Sequence, residues 1–160
     1  MSDNVYLGNP NLKKANTPIE FTEEQIIEFV QCQRDPVYFA NKYVKIVSLD
    51  EGLVPFKPYR FQEKLITNFH ENRFNICKMP RQTGKSTTVV SYLLHYAVFN
   101  DSVNIGILAN KAATARELLG RLQTAYENLP KWMQQGIIAW NKGSLELENG
   151  SKILAASTSA

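Results

Sequence analysis

Residues Phe74 to Ser91 read FNICKMPRQTGKSTTVVS, and the eight residues from Met79 to Ser86 carry the chemistry of the chain. The run containing Phe74, Ile76, Cys77 and Met79 is short and apolar, as a buried strand would be. Thr87, Val89 and Val90 then open a helical pattern. Strand, glycine-bearing loop and helix in that order describe a phosphate-binding loop. Gly84 lets the backbone approach an anion with no side chain between them, and the unpaired N–H groups of the following helix's first turn point at it. Lys85 is expected to reach the β- and γ-phosphates as a compact charge, and the Ser86 hydroxyl to help hold Mg²⁺. The general pattern G-x-x-x-x-G-K-[ST] has glycine where this chain has Met79, so the match is partial. A strand-turn-helix with an exposed lysine is the plain alternative.

The string MPRQTGKST, Met79 to Thr87, resembles the deviant Walker A motif of large terminase subunits. These are the ATP-driven DNA-packaging motors of tailed double-stranded DNA phages, whose Arg-Gln-x-Gly-Lys-[Ser/Thr] core lacks the first glycine. The resemblance implies that Pro80, Arg81, Gln82, Thr83, Gly84, Lys85, Ser86 and Thr87 contact ATP, with Mg²⁺ on the Ser86 hydroxyl. It also implies catalytic roles for Lys85 and for Arg81, the latter as an arginine finger supplied in cis beside the γ-phosphate. A guanidinium there would stabilise charge that develops during phosphoryl transfer.

Upstream, Gln62 follows an aromatic residue and precedes Met79 by seventeen positions. That placement resembles the glutamine element of helicases and terminases, in which the amide reads the adenine edge with one donor and one acceptor. An exposed helical glutamine is the other reading. The phrases RDPVYFANKYVKI, ILANKAATARELLGRL and WNKGSLELENGSKI stand in the family's order, so the similarity spans about Pro36 to Ala160 and is greatest to terminases of T-even-type myophages.

The rest of the chain fits an α/β fold, a truncated P-loop NTPase parallel-sheet core with a small helical N-terminal subdomain and a C-terminal β-hairpin. Residues 1–21 are polar, carry Pro10 and Pro18, and read as a flexible N-terminal arm. Residues 22–58 read as the helical subdomain and linker. Thr22 and Asp35 are the N-cap signals, the second followed by proline, and Asp50 to Pro58 is a turn region. Residues 59–160 read as the first part of the ATPase domain. A helix over Tyr59 to Asn72 turns Phe61, Leu65, Ile66 and Phe69 to one face. Val89, Val90, Leu93, Leu94, Ala97 and Val98 stripe the helix after the loop, which ends near Asn100. Val103 to Ala109 matches a central parallel strand covered on both faces, and Asn110 caps a helix through Tyr126. Strands follow over Gly136 to Trp140, Ser144 to Glu148 and Lys152 to Ala156, the last two joined by Asn149-Gly150, a strong hairpin signal.

Composition narrows the function. The chain has 160 residues, 44% hydrophobic and 11% aromatic, with no apolar run long enough for a membrane span and no apolar N-terminal signal region. It is expected to be soluble and intracellular, and the resemblance implies the host cell cytoplasm. Cys32 and Cys77 lack metal-ligand spacing and read as small buried residues. His70 and His95 read as helix-surface residues. A net charge of +3 does not by itself argue for nucleic acid, and Lys111, Arg116 and Arg121 read as a solvated face or a DNA-facing one. No apolar strand ending in Asp-Glu, the second motif such an ATPase needs, occurs in these residues. A fragment of a longer protein, inactive alone, is therefore expected. The implied partners are double-stranded phage DNA, a portal protein, a small terminase subunit and further copies of the chain. A helicase-like DNA translocase and a nucleotide-binding module without hydrolysis are the alternative functions.

Overall fold

The computed structural model describes residues 4–159, so the first three residues of the N-terminal arm and Ala160 lie outside it. Two hairpins, five helices and a four-stranded sheet follow one another. They are β1 (Val5–Tyr6), β2 (Asn9–Lys13), α1 (Glu23–Arg34), α2 (Pro36–Tyr43), β3 (Lys45–Ser48), β4 (Gly52–Pro55), α3 (Arg60–Glu71), α4 (Lys85–Phe99), β5 (Asn104–Ala109), α5 (Ala112–Glu127), β6 (Ile137–Trp140), β7 (Ser144–Leu147) and β8 (Lys152–Ser157). The sheet order is β5-β8-β7-β6, with β5 and β8 parallel and β7 antiparallel to both neighbours.

The sheet is therefore mixed, not the parallel sheet expected, and its parallel part is the single pair β5–β8. The apolar run before the loop is a second departure. Residues 73–80 form no strand, Phe74 is 82% exposed and Ile76 wholly so. A strand exists only where its N–H and C=O groups meet a neighbour, and among the described residues no strand pairs with this segment. For the same reason Cys77 is exposed, whereas Cys32 is buried and its thiol is pushed up to about 12 by that burial. Strand β5 is covered on one face only: Ile105 and Ile107 are buried, while Leu108 is 66% exposed. The residues expected to be a turn region, Asp50 to Pro58, instead contain β4, which pairs with β3 from Ser48↔Gly52 to Lys45↔Pro55.

Local chemistry explains most element ends. The Thr22 hydroxyl accepts from the Gln25 N–H at 3.2 Å, and the Gln25 side chain accepts from the Thr22 N–H at 3.1 Å, closing a capping box on α1. Asp35 Oδ1 accepts from Val37 and Tyr38 N–H at 2.9 and 3.0 Å to start α2. At the end of α4, Asn149 Nδ2 donates to Ala97 O at 2.9 Å, and Ser151 Oγ donates to Asn100 O at 2.7 Å. The β7–β8 turn thereby satisfies carbonyls that a helix end leaves unpaired. Helix α5 starts at Ala112, and its N-cap position is Lys111, which makes no side-chain capping bond, so Asn110 is not the cap.

Helices α1 and α2 share a core with α4. Phe39, wholly buried, stands edge-on to Phe99 at 5.3 Å and to His95 at 5.5 Å, and Phe29 meets Phe99 at 5.0 Å. Between the two N-terminal helices, Glu28 accepts from Lys42 at 2.7 Å, Tyr43 at 2.9 Å and Tyr38 at 3.0 Å. Residues 4–16, read as a loose arm, are also tied down. Leu12 is buried, Lys13 N–H donates to Gln134 Oε1 at 3.0 Å, Gln134 Nε2 donates to Asn11 O at 3.0 Å, and Asn16 N–H donates to Glu148 Oε2 at 2.7 Å. Gly136 permits this approach, because a Cβ there would lie 2.5 Å from Ala15 Cα.

His95 is not a surface residue. It is 1% exposed, its Nε2 donates to Cys32 O at 2.8 Å, and its Nδ1 has no partner. Burial holds its pKa down at about 4. An unfolded chain would protonate this ring near its ordinary 6.5, so the folded state loses stability as pH falls from there toward about 4. The loss is on the order of 3 kcal/mol at full extent. Burial opposes the charge on Glu28, but the hydrogen bonds from Lys42, Tyr43 and Tyr38 outweigh it and hold its pKa below 4.5. Its stabilisation is present above that ordinary value and disappears only at lower pH, as the folded carboxylate protonates. Chemical denaturation of His95→Gln at a series of pH values is expected to flatten the first fall and leave the second; an unchanged profile would refute the assignment.

Candidate functional site

The loop between residues 79 and 85 is neither helix nor strand, and α4 begins at Lys85. Two residues make the turn. Gln82 has φ 59° and Gly84 has φ 75°, ψ 21°, a left-handed conformation that costs glycine little. The loop is folded on itself: Thr83 Oγ1 donates to Pro80 O at 3.0 Å, and Lys85 Nζ donates to Met79 O at 3.2 Å and also to Pro80 O. The ammonium thus rests on the carbonyls that frame the loop. Gly84 O starts the helix, accepting from Thr88 N–H at 3.0 Å and Thr88 Oγ1 at 2.8 Å. The N–H groups of Lys85, Ser86 and Thr87 have no carbonyl one turn earlier, and no side chain caps them. Three donors and the positive end of a 15-residue helix converge beside a lysine.

Helix α3 brings Gln62 to the same place. Gln62 is 4% exposed, and its amide lies against Gly84. With Gly84, Thr87, Tyr59, Phe56 and hairpin β3–β4, it lines a cleft of ≈ 510 Å³ next to the loop. Tyr59 and Phe61 stack with ring centroids 6.0 Å apart, and both are exposed. Phe61 was expected on the inner face of α3; the buried face is carried by Gln62 and Ile66. Pro80, Arg81, Gln82 and Ser86 are exposed, while Thr83, Lys85 and Thr87 are half-buried. The loop residues and Gln62 therefore meet at one place, although Gln62 and Lys85 are separated in sequence.

Glu51 lines the cleft, but no carboxylate pairs with the loop's cations among the described residues. Among the described residues no Asp or Glu oxygen lies within 4 Å of Lys85 or Arg81, and no group of three or more potential metal ligands exists. Ser86 offers a single exposed hydroxyl to a cation, which fits Mg²⁺ only as one ligand among waters and phosphates. Lys111 just before α5 and Arg116 and Arg121 on it are exposed, and Arg121 pairs with Glu117 at 2.7 Å, as on a solvated helix face. Sequence reasoning missed Gln134 and His95, because a buried polar side chain with distant partners leaves no periodic signal. It also missed the contact of Gln62 with Gly84.

Residues 76–160, just over half of the chain, match the family model described as terminase large subunit, T4likevirus-type, N-terminal. The fold is similar to that in the crystal structure of the HK97 bacteriophage large terminase, with a TM-score of 0.64 at 18% sequence identity. That match covers 80% of this chain and 28% of the solved one, so the chain spans less than a third of that structure's length. Among the described residues no helix is long and apolar enough to cross a membrane.

Proposed function

Because this chain belongs to the T4likevirus-type large terminase subunits, matching their N-terminal region, we propose that residues 79–87 are the triphosphate cradle of a P-loop ATPase that drives phage DNA into a prohead. The observation that carries the proposal is the left-handed Gly84 immediately before three uncapped helical N–H groups and Lys85. Donors so arranged suit a multiply charged anion better than any other ligand. Lys85 would leave the carbonyls of Met79 and Pro80 for the β- and γ-phosphates. Arg81, exposed and without an acidic partner among the described residues, is free to act as the finger that stabilises charge at the terminal phosphoryl group. Mg²⁺, when bound, neutralises charge across the β- and γ-phosphates, and Ser86 Oγ is the group here that would face it.

Residues 59–160 would then be the first part of the ATPase domain, and residues 22–58 a helical subdomain beside it. Double-stranded phage DNA, a portal protein, a small terminase subunit and further copies of the chain are the proposed partners, met in the host cell cytoplasm. That no carboxylate pairs with Lys85 or Arg81 and no group of three or more potential metal ligands exists among the described residues favours a second reading for these residues taken alone, namely nucleotide binding without turnover. Calorimetric titration tests the cradle. Affinity is expected to fall from ATP to ADP and to be lost for AMP, since the grip is on phosphate. Equal affinity for ATP and AMP would exclude it.

A further inference from the structure

Strands β5 and β8 run parallel and β7 runs against β8, so the turn from β6 to β7, residues 141–143, stands at the carboxyl edge of the parallel pair, where α5 begins. Gly143 O accepts from the Ala155 N–H at 2.9 Å on β8, and just beyond β8 the Thr158 N–H donates to Ala109 O at 2.8 Å at the end of β5. Ligands of open α/β sheets sit outside this edge. The turn is well braced. Asn141 Oδ1 accepts from the Gly143 and Ser144 N–H groups at 2.9 and 2.8 Å, and its Nδ2 donates to Ser144 Oγ at 2.9 Å. Its carbonyl accepts from Gln123 Nε2 of α5 at 2.8 Å. Lys142 is the exposed residue held inside that frame.

Lys142 shares a hollow of ≈ 410 Å³ with Ala113, Arg116 and Glu117 of α5. Arg116 Nε donates back to Ala112 O at 3.4 Å, so the side chain lies along the first turn of the helix, toward exposed Lys111. Glu117 is matched by Arg121 at 2.7 Å, whereas among the described residues no acidic oxygen lies within 4 Å of Lys111, Arg116 or Lys142. Cations left unmatched on a frame that fixes them suit a row of phosphates. Trp140, which leads into the turn, is half-buried and packs on Tyr126 with ring centroids 5.7 Å apart, so it is not free to stack the bases of a single strand. Resting on the reading of the chain as part of a DNA translocase, we propose that Lys142 and Arg116, flanked by Lys111, grip the phosphate backbone of double-stranded DNA at the carboxyl edge of β5 and β8. The contact is to phosphate alone, so it is indifferent to sequence and can be released and remade along the duplex.

Anisotropy of a fluorescent duplex of mixed sequence, titrated over a range of salt concentrations, tests the grip. Lys142→Gln and Arg116→Gln are each expected to lower the slope of log affinity against log salt by about 0.9, and the double variant by about 1.8. Lys14→Gln removes the same charge beside Ile137, at the opposite edge of the sheet, and is expected to leave the slope as it is. Asn141→Ala keeps every charge but loosens the turn, and is expected to weaken duplex binding about fivefold. Affinity for inorganic tripolyphosphate is expected to stay at that of the unsubstituted chain in every variant. Equal slopes for Lys14→Gln and Lys142→Gln, undiminished binding by Asn141→Ala, tighter binding of a single strand than of the duplex, or loss of tripolyphosphate together with DNA would each overturn the proposal. Failure of the unsubstituted chain to bind the duplex would overturn it and leave the cradle standing, whereas failure to bind tripolyphosphate with duplex binding intact would overturn the cradle alone.

Discussion

Replacing Lys85 with alanine is expected to lower ATP affinity on the order of 100-fold, the cost of losing charge-assisted hydrogen bonds to phosphate. The substitution sits at the first position of α4, where alanine is a good helix former, so the fold should persist. In the ligand-free chain the ammonium bonds only the loop's own carbonyls, those of Met79 and Pro80, and removing it leaves carbonyls that solvent can reach. Thermal unfolding without ligand should therefore be nearly unchanged, while ligand-induced stabilisation disappears. Steady-state hydrolysis is expected to remain at background in both proteins, because no carboxylate stands within 4 Å of Lys85 or Arg81 among the described residues. Calorimetry with a phosphate-release assay checks both parts. Unchanged ATP binding by the alanine variant would remove Lys85 from the site, and robust turnover by wild type would show that carboxylates are not needed.

The largest effect on stability is expected from Phe39→Ala. Phe39 is fully buried, and its ring stands edge-on to Phe99 and His95 at the seam between α2 and α4. Truncation removes the transfer energy of a ring and leaves a cavity beside Phe99 and His95. A loss of about 3–5 kcal/mol follows, a large part of the stability of a domain this size. Urea denaturation should show a lower midpoint with an unchanged slope. A loss below about 1 kcal/mol would mean that α1 and α2 are not held on α4 as described.

Much of this architecture could be read from residue order. Thr22 and Asp35 announce helix starts through hydroxyl and carboxylate oxygens, and both accept the expected N–H groups. Asn149-Gly150 marks the β7–β8 turn, and Gly150 takes the positive φ such a turn requires. These are local signals, complete within a few residues. What depended on distant neighbours was misjudged. Phe74 to Met79 has the composition of a strand, but strand formation needs a second strand, and no string of residues contains its own partner. His95 sits on a helix whose pattern is apolar nearly all round, so its burial was not distinguishable from a solvent-facing exception. At the site, the loop was legible because the chemistry is contiguous. The bond from Gln62 to Gly84 spans 22 positions and emerges only when α3 is laid beside α4.

The clasp between the N-terminal strands and the far wall of the sheet bears on the order of assembly. Lys13 meets Gln134 across 121 positions, and Asn16 meets Glu148 across 132. During synthesis this hairpin cannot make those bonds until residues 134 and 148 have emerged, so its docking comes late relative to the local elements. Until then the young polypeptide carries an unsheltered leucine on a hairpin that has only its own two strands to pair.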